Sequence, residues 1–121
     1  MVRAVIDSCI LIDFLRGVPA ATSELALYER PAISVISWME VMAGTSEQTE
    51  QTVRGFLQSY SILEIEAEVA ERAVLLRRSR RIKLPDAIIW ATAQVRESLL
   101  VTRNTHDFDP SLPGVRVPYI L

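Results

Sequence analysis

Cysteine is scarce in this sequence, and the scarcity excludes two kinds of site. Cys9 is the only cysteine among 121 residues. An intramolecular disulfide and a tetrahedral zinc site built on cysteines are therefore both excluded. A chain without disulfides fits a reducing compartment, so we expect it in the cytoplasm.

Long apolar runs are missing as well. Charged residues interrupt each apolar stretch within a few positions, as Asp7 does after Val5 and Ile6. None of the stretches approaches the roughly 18 apolar residues that span a bilayer. Asp7 also falls where a signal peptide needs uninterrupted apolar sequence, so we expect neither export nor a membrane partner.

An excess of positive charge is absent, since 13 basic residues face 15 acidic ones and the net charge is -2. Nothing global attracts such a chain to a polyanion. There is one local concentration of cations, which includes the only lysine: Arg77, Arg78, Arg80, Arg81 and Lys83. This cluster has two interpretations, contact with RNA phosphates or complementation of a helix C-terminal dipole.

Half of the residues are apolar, which suffices for a core in one domain, 1–121. Short β-rich runs alternate with longer helical patterns. Strands are predicted at 2–6, 32–36, 60–65, 99–102 and 115–119, and helices at 8–16, 21–29, 37–43, 48–58, 66–80 and 85–97. Strands separated by helices pair in parallel, so we expect a three-layer α/β/α sandwich with a central, mainly parallel sheet.

Four acidic residues follow predicted strands or begin predicted helices: Asp7, Glu40, Asp86 and Asp107. In a parallel sheet the functional crevice lies beyond the carboxyl ends of the strands. Successive acids are 33, 46 and 21 residues apart, so only the fold can bring them together. A carboxylate cluster without His or Cys is the ligand type that Mg²⁺ and Mn²⁺ prefer. Two such ions can activate water and stabilise the leaving oxygen of a phosphodiester.

Each acid also has a structural explanation. Asp7 suits a helix N-cap, and Ser37 with Glu40 matches a capping box. Asp86 complements a helix dipole, and Asp107 suits an Asx turn. Asp7 and Asp86 border apolar segments, however, where an unpaired carboxylate is costly and a bound cation removes that cost. This context favours a metal site.

Four sequence blocks occur in order: VIDSCILID at 5–13, ISVISWMEV at 33–41, LPDAIIWATA at 84–93 and LVTRNTHDF at 100–108. With these blocks the chain resembles the PIN-domain ribonucleases, and among them the VapC-type toxins of bacterial toxin-antitoxin pairs. The resemblance implies a PIN-like fold and a Mg²⁺- or Mn²⁺-dependent endoribonuclease that leaves a 5′-phosphate. It also implies a cognate antitoxin that silences the enzyme.

The resemblance assigns roles to individual residues. The expected site consists of Asp7 and Asp86 as metal ligands, Glu40 and Asp107 as the other acids of the pocket, and Ser8, Thr102 and Asn104 as a polar shell. Several family members carry an acid at the position of Asn104. The neutral amide lowers the charge of the pocket, so the choice between one and two metal ions stays open.

The segment 8–15 predicts an interface. Its five large apolar side chains cover nearly all sides of the helix: Ile10, Leu11, Ile12, Phe14 and Leu15. Such a helix must be buried on more than one face. We expect it to contact the antitoxin or a second copy of this chain in a homodimer.

Four other side chains in these blocks or beside them have local interpretations. Asp13 and Arg16 lie one helical turn apart and predict an ion pair. Cys9 is interpreted as a packing residue whose pKa the helix dipole lowers. His106 is either a loop residue facing solvent or a proton shuttle.

Two other functions are alternatives for a chain with this pattern. A phosphoacceptor receiver domain needs paired acids after the first strand, an aspartate after the middle strand and a late lysine after a strand. Here Asp7 stands alone after the first strand, residues 47–66 contain no aspartate, and Lys83 precedes a helix. A catalytically weak PIN-like binding protein is the second alternative, and the presence of all four acids argues against it.

Overall fold

Five short strands form a parallel sheet at the centre of the protein. The structure, a computed structural model, describes residues 3–121, so Val2 of the strand predicted at 2–6 lies outside it. Within that range the strands are β1 (Ala4–Ile6), β2 (Ala32–Ser34), β3 (Ser61–Leu63), β4 (Leu99–Val101) and β5 (Val115–Arg116). They lie in the order β3-β2-β1-β4-β5, and each neighbouring pair is parallel.

Helices cover both faces of the sheet. The helices of residues 3–121 are α1 (Ser8–Leu15), α2 (Pro19–Leu25), α3 (Val35–Ala43), α4 (Glu50–Leu57), α5 (Ala67–Ser79) and α6 (Leu84–Val95). Successive side chains of a strand point to opposite faces. Val5 of β1 packs with α5 and α6, whereas Ala4 and Ile6 pack with α1, α2 and α4. The predicted three-layer sandwich is confirmed.

Strand β1 occupies the middle of the sheet. Val5 lies opposite Ala32 of β2, and Ile6 lies opposite Val101 of β4. All three residues of β1 are buried, as its apolar run predicts for a strand covered on both faces. The residue that follows β1, Asp7, therefore lies at the middle of the carboxyl edge of the sheet.

Helix α3 begins two residues earlier than the sequence predicts. Ser34 is its N-cap, because the Ser34 hydroxyl accepts a hydrogen bond from the Ile36 N–H at 3.1 Å. The capping box expected at Ser37 and Glu40 is therefore wrong. Ser37 is buried inside the helix, and Glu40 contacts a residue outside it.

Other boundaries also differ from the predictions. The chain turns after α1 at Gly17, whose φ of +82° is a left-handed conformation that suits glycine. Helix α2 then begins at Pro19, since proline fits the first helical position. Strand β5 is limited to Val115–Arg116. Across residues 3–121, no helix combines the length and apolar character needed to cross a bilayer.

Candidate active site at the carboxyl edge of the sheet

A cleft of about 550 Å³ lies at the carboxyl edge of the sheet. Four acids line it: Asp7, Glu40, Asp86 and Asp107. They come from the end of β1, from α3, from the first turn of α6 and from the loop after β4. The fold therefore brings together the acids that the sequence separates. Their catalytic role stays a prediction.

Asp7 is the most deeply buried of these acids, with 3% of its surface exposed. Its Oδ1 accepts a hydrogen bond from the Ser8 N–H at 2.7 Å, and its Oδ2 accepts one from the Thr102 hydroxyl at 2.8 Å. Burial raises the pKa of Asp7, and these hydrogen bonds oppose the rise. Asp7 also caps α1, which confirms its structural explanation, and its role as a metal ligand stays a prediction. All of the groups that donate hydrogen bonds to Asp7 are neutral. None of them compensates the negative charge of the buried carboxylate.

Ser8 connects Asp7 with Glu40. Its backbone N–H binds Asp7, and its hydroxyl donates to Glu40 Oε1 at 2.9 Å. The pKa of Glu40 is raised by partial loss of water around its carboxyl and by the charge of Asp7, while the Ser8 hydrogen bond lowers it. One serine thereby fixes the relative position of two acids from different elements.

Asp86 and Asp107 form a second pair of acids. Burial, the charge of Asp7 and a hydrogen bond with Asp107 together raise the pKa of Asp86 to about 7. The Asn104 Nδ2 amide donates to Asp107 Oδ2 at 2.8 Å, and Asn104 Oδ1 accepts from the Asp107 N–H at 3.2 Å. The side chain that holds this turn is therefore that of Asn104. The Asx-turn explanation, which gave this role to Asp107, is wrong.

The remaining polar residues hold the acids in place. Thr102 is fully buried, donates to Asp7 and accepts from the Asn104 N–H at 3.0 Å. Cys9 donates to Asp7 Oδ2 at 3.6 Å. Burial and the charge of Asp7 raise the pKa of the Cys9 thiol to about 12, so the expected lowering by the helix dipole is wrong. His106 lines the cleft from an exposed loop position.

Sequence reasoning missed Arg103, which also lines the cleft. Its Nε and Nη2 donate to Asp13 at 2.6 and 3.0 Å, and the Tyr119 hydroxyl donates to Asp13 Oδ2 at 2.7 Å. The ion pair predicted between Asp13 and Arg16 is therefore wrong. A signal was present in the sequence, because Asp13 interrupts an otherwise apolar helix and a buried carboxylate requires partners.

The five-cation cluster divides in the structure. Arg77 and Arg78 lie in the last turn of α5, where their charges complement the helix dipole. The Arg80 guanidinium lies over the Trp90 ring, 5.0 Å from its centroid. Lys83 precedes α6 as its N-cap and lines the cleft together with the acids. Arg81 is exposed between α5 and α6. Of the five cations in the predicted cluster, Lys83 is the one that lines this cleft.

A groove of about 420 Å³ lies beside the cleft, between α1, α3 and α4. Ile12, Leu15, Val41 and Val53 give it an apolar lining, and Glu40 belongs to both groove and cleft. Leu15 remains 38% exposed. Helix α1 thus offers an open apolar surface next to the acids, as its predicted contact with a partner requires.

The donor chemistry of the cleft fits a hard cation, because its acidic groups offer carboxylate oxygens. Among residues 3–121, however, no three His, Cys, Asp or Glu side chains are grouped closely enough to form a ready-made metal site. Asp86 and Asp107 lie close enough for their carboxyl groups to interact, and this interaction contributes to the raised pKa of Asp86. Cation binding would require Asp86 to be ionised.

Comparison with known proteins identifies relatives over nearly the whole chain. The sequence profile of the PIN domain family matches residues 4–109. Ribonuclease VapC10 of Mycobacterium tuberculosis is 34% identical over 122 residues, covering 94% of this chain and 91% of the relative. Ribonuclease VapC19 of the same organism is 32% identical over 123 residues, covering 94% and 98%. A chain in a toxin-antitoxin complex from Klebsiella pneumoniae is 45% identical, with a TM-score of 0.93 and coverage of 98% and 99%.

Proposed function

This chain belongs to the PIN domain family, and from that membership we propose that it is the RNA-cleaving toxin of a toxin-antitoxin pair. Its relatives VapC10 and VapC19 are ribonucleases by name, and the Klebsiella relative was solved in a toxin-antitoxin complex. The observation that carries the proposal is the convergence of four acids from four elements in one cleft. The reaction is hydrolysis of an RNA phosphodiester.

The proposed cofactor is Mg²⁺ or Mn²⁺, with Asp7 and Asp86 as its ligands and Glu40 and Asp107 as the neighbouring acids. A bound ion supplies a water of lowered pKa and neutralises charge that develops on the phosphate. Two observations support the assignment: the acidic groups of the cleft offer oxygen donors, and the buried Asp7 has only neutral hydrogen-bond partners.

The chain's own residues orient these ligands. Thr102 and the Ser8 N–H hold the two oxygens of Asp7 in one orientation. The Ser8 hydroxyl holds Glu40, and the Asn104 amide holds Asp107. Carboxylates fixed in this way need little rearrangement when a cation and a phosphate enter, which is how preorganisation contributes to catalysis.

Cleavage of a short single-stranded RNA tests the proposal. With Mg²⁺ or Mn²⁺ the wild-type protein should cut the RNA, and excess EDTA should stop the cleavage. Asp7→Asn and Asp86→Asn should each abolish cleavage and growth arrest while leaving the circular dichroism spectrum unchanged. Asp109→Asn is the matched control, because Asp109 is an exposed loop acid outside the cleft lining. Full activity in excess EDTA, or in either cleft variant, would refute metal-dependent catalysis by these acids.

The proposed antitoxin inhibits by occupying the cleft. An apolar segment of the partner fits the groove between α1, α3 and α4, and a basic side chain reaches past Glu40 to the acids. Arginine suits this role because its planar guanidinium can bind two carboxylates. Replacing that basic residue in the partner should restore cleavage more than it weakens the complex. Recovery of cleavage only upon dissociation would contradict inhibition by cleft occupancy.

A homodimer and a cytoplasmic location belong to the same proposal. The exposed part of α1 can contact a second copy as well as the antitoxin, and sedimentation of the isolated chain distinguishes monomer from dimer. Fractionation of cells that express the chain at its native level tests the location.

A further inference from the structure

We propose that Lys83 and Arg103 bind RNA phosphates on either side of the phosphate that is cut, and we call these two residues the phosphate pair. The inference rests on the proposed RNA cleavage and assigns the substrate contacts within it. Both residues line the acidic cleft, and they come from separate segments: Lys83 precedes α6, and Arg103 follows β4.

The phosphate pair reaches the cleft from opposite layers of the sandwich. Lys83 is the N-cap of α6, which packs on one face of the sheet. Arg103 is bound to Asp13 of α1, which packs on the other face. The Asp7 carboxylate, which follows β1, lies at the sheet edge between these two layers. A chain of phosphates that crosses the edge of the sheet would therefore meet one cation on each side of the acids.

Arg103 is held in a defined orientation. Its Nε and Nη2 donate to Asp13, which is only 2% exposed, at 2.6 and 3.0 Å. Tyr119 donates to the same carboxylate at 2.7 Å. Among the hydrogen bonds of residues 3–121, none uses Nη1 of Arg103, so this amino group is free to donate to a phosphate oxygen. A preorganised guanidinium loses less rotamer entropy on binding than a mobile one.

The substrate needs these cations because of the charge around it. The cleft presents four carboxyl groups, and the whole chain carries a net charge of -2. A single metal site would neutralise charge at the scissile phosphate and leave the flanking phosphates facing acids. The other four cations of the predicted cluster lie elsewhere: Arg80 packs on Trp90, Arg77 and Arg78 lie on α5, and Arg81 follows α5 outside the cleft lining.

Asp13 and Tyr119 are positioning residues in this arrangement, because they act on RNA only through Arg103. Asp13 fixes the plane of the guanidinium, and Tyr119 fixes Asp13. Loss of the Tyr119 hydroxyl should therefore raise KM for RNA and leave kcat nearly unchanged. A purely structural role would lower thermal stability without a selective change in KM.

The experiment measures how RNA affinity depends on salt. Binding of a fluorescent single-stranded RNA is followed by anisotropy in EDTA between 50 and 200 mM salt, and kcat/KM is measured over the same range with Mg²⁺. Each phosphate contact contributes about 0.7 to the slope of log affinity against log salt for a single strand. Lys83→Ala should lower both slopes by about 0.7, which is about a fivefold loss of affinity at 0.1 M salt.

Arg103 requires a paired substitution, since Arg103→Gln alone leaves the buried Asp13 carboxylate without its cation. Asp13→Asn/Arg103→Gln removes both charges together, and it should lower the slopes by about 0.7 like Lys83→Ala. Tyr119→Phe should keep the slope and raise KM. Arg72→Ala is the control, because Arg72 is an exposed α5 cation outside the cleft lining. Its slope should equal that of the wild type.

The outcomes separate the phosphate pair from the proposed function. Suppose that the wild type cuts RNA with metal, but the salt slopes of Lys83→Ala and of Asp13→Asn/Arg103→Gln equal the wild-type slope. The phosphate pair is then wrong, and the proposed nuclease function is retained. If Arg77→Ala or Arg78→Ala lowers the slope and Lys83→Ala does not, RNA binding is assigned to α5, and the phosphate pair is also wrong. If the wild type cuts no RNA with any divalent metal, the proposed function itself has failed.

Discussion

Asp86→Asn should abolish activity and yet stabilise the metal-free protein. Partial burial, together with the nearby carboxyl groups of Asp7, Asp107 and Glu40, raises the pKa of Asp86 from 3.8 to about 7 in the folded protein. An acid whose pKa is raised by folding destabilises the folded state wherever it must ionise. The destabilisation is absent below the ordinary pKa of aspartate, grows as pH rises and is complete above about pH 7. Asparagine carries no charge and avoids it throughout.

The size of the effect follows from the two pKa values. The difference between 3.8 and about 7 corresponds to about 4 kcal/mol at alkaline pH. Asp86 is only partly buried, and screening by water reduces the value to about 2 kcal/mol. For a chain of this length, Asp86→Asn should then melt about 5–10 °C above the wild type.

Thermal melts in EDTA at pH 8 and pH 5 measure this gain. The advantage of Asp86→Asn should be largest at pH 8 and smaller at pH 5. Added Mg²⁺ at ten times its dissociation constant should stabilise the wild type by about 1.4 kcal/mol and the variant by less. Asp109→Asn serves as the control, since Asp109 is exposed and its pKa is lowered by hydrogen bonds from Ser111. Asp86→Asn melting below the wild type at pH 8 in EDTA would show that dipole complementation outweighs repulsion.

Three further predictions concern the rest of the fold. Ser34→Ala should lower the free energy of unfolding in urea by about 1 kcal/mol through loss of the α3 cap; an unchanged midpoint would contradict that role. Cys9, whose pKa burial and the charge of Asp7 raise to about 12, should resist iodoacetamide at pH 8 until the protein is denatured; rapid native alkylation would contradict the raised pKa. Glu24→Gln should destabilise the protein at pH 7, because Arg116 lowers the pKa of Glu24. That difference should shrink as acid protonates the Glu24 of the wild type, and a pH-independent difference would argue against the ion pair.

The positions of the acids were predictable because they depend on sequence-local features. Asp7 ends an apolar run of the kind that forms a central parallel strand, and such strands share one carboxyl edge. Asp86 follows Leu84 and Pro85, where proline marks the first turn of a helix. Neither inference needs knowledge of distant contacts.

The partners of Asp13 were not predictable in the same way. Local spacing favoured Arg16, but the bonded cation is Arg103, which lies 90 residues away, and Tyr119 lies 106 residues away. Cys9 shows the same limit. Its place at a helix start suggested a lowered pKa, but burial and the neighbouring Asp7 charge have the larger effect. Tertiary contacts decided both outcomes.

The pairing of β1 with β4 delays formation of the cleft during protein synthesis. Asp7 is made before β4, but its backbone N–H binds Val101 and its carboxylate binds Thr102, 95 residues later. Domains generally complete their folding only after such late-made segments emerge. A nascent chain therefore carries Asp7 without Thr102 to orient it until the segment after β4 has been made. Until residue 107 has emerged, the ribosome holds a polypeptide whose acidic cleft is incomplete.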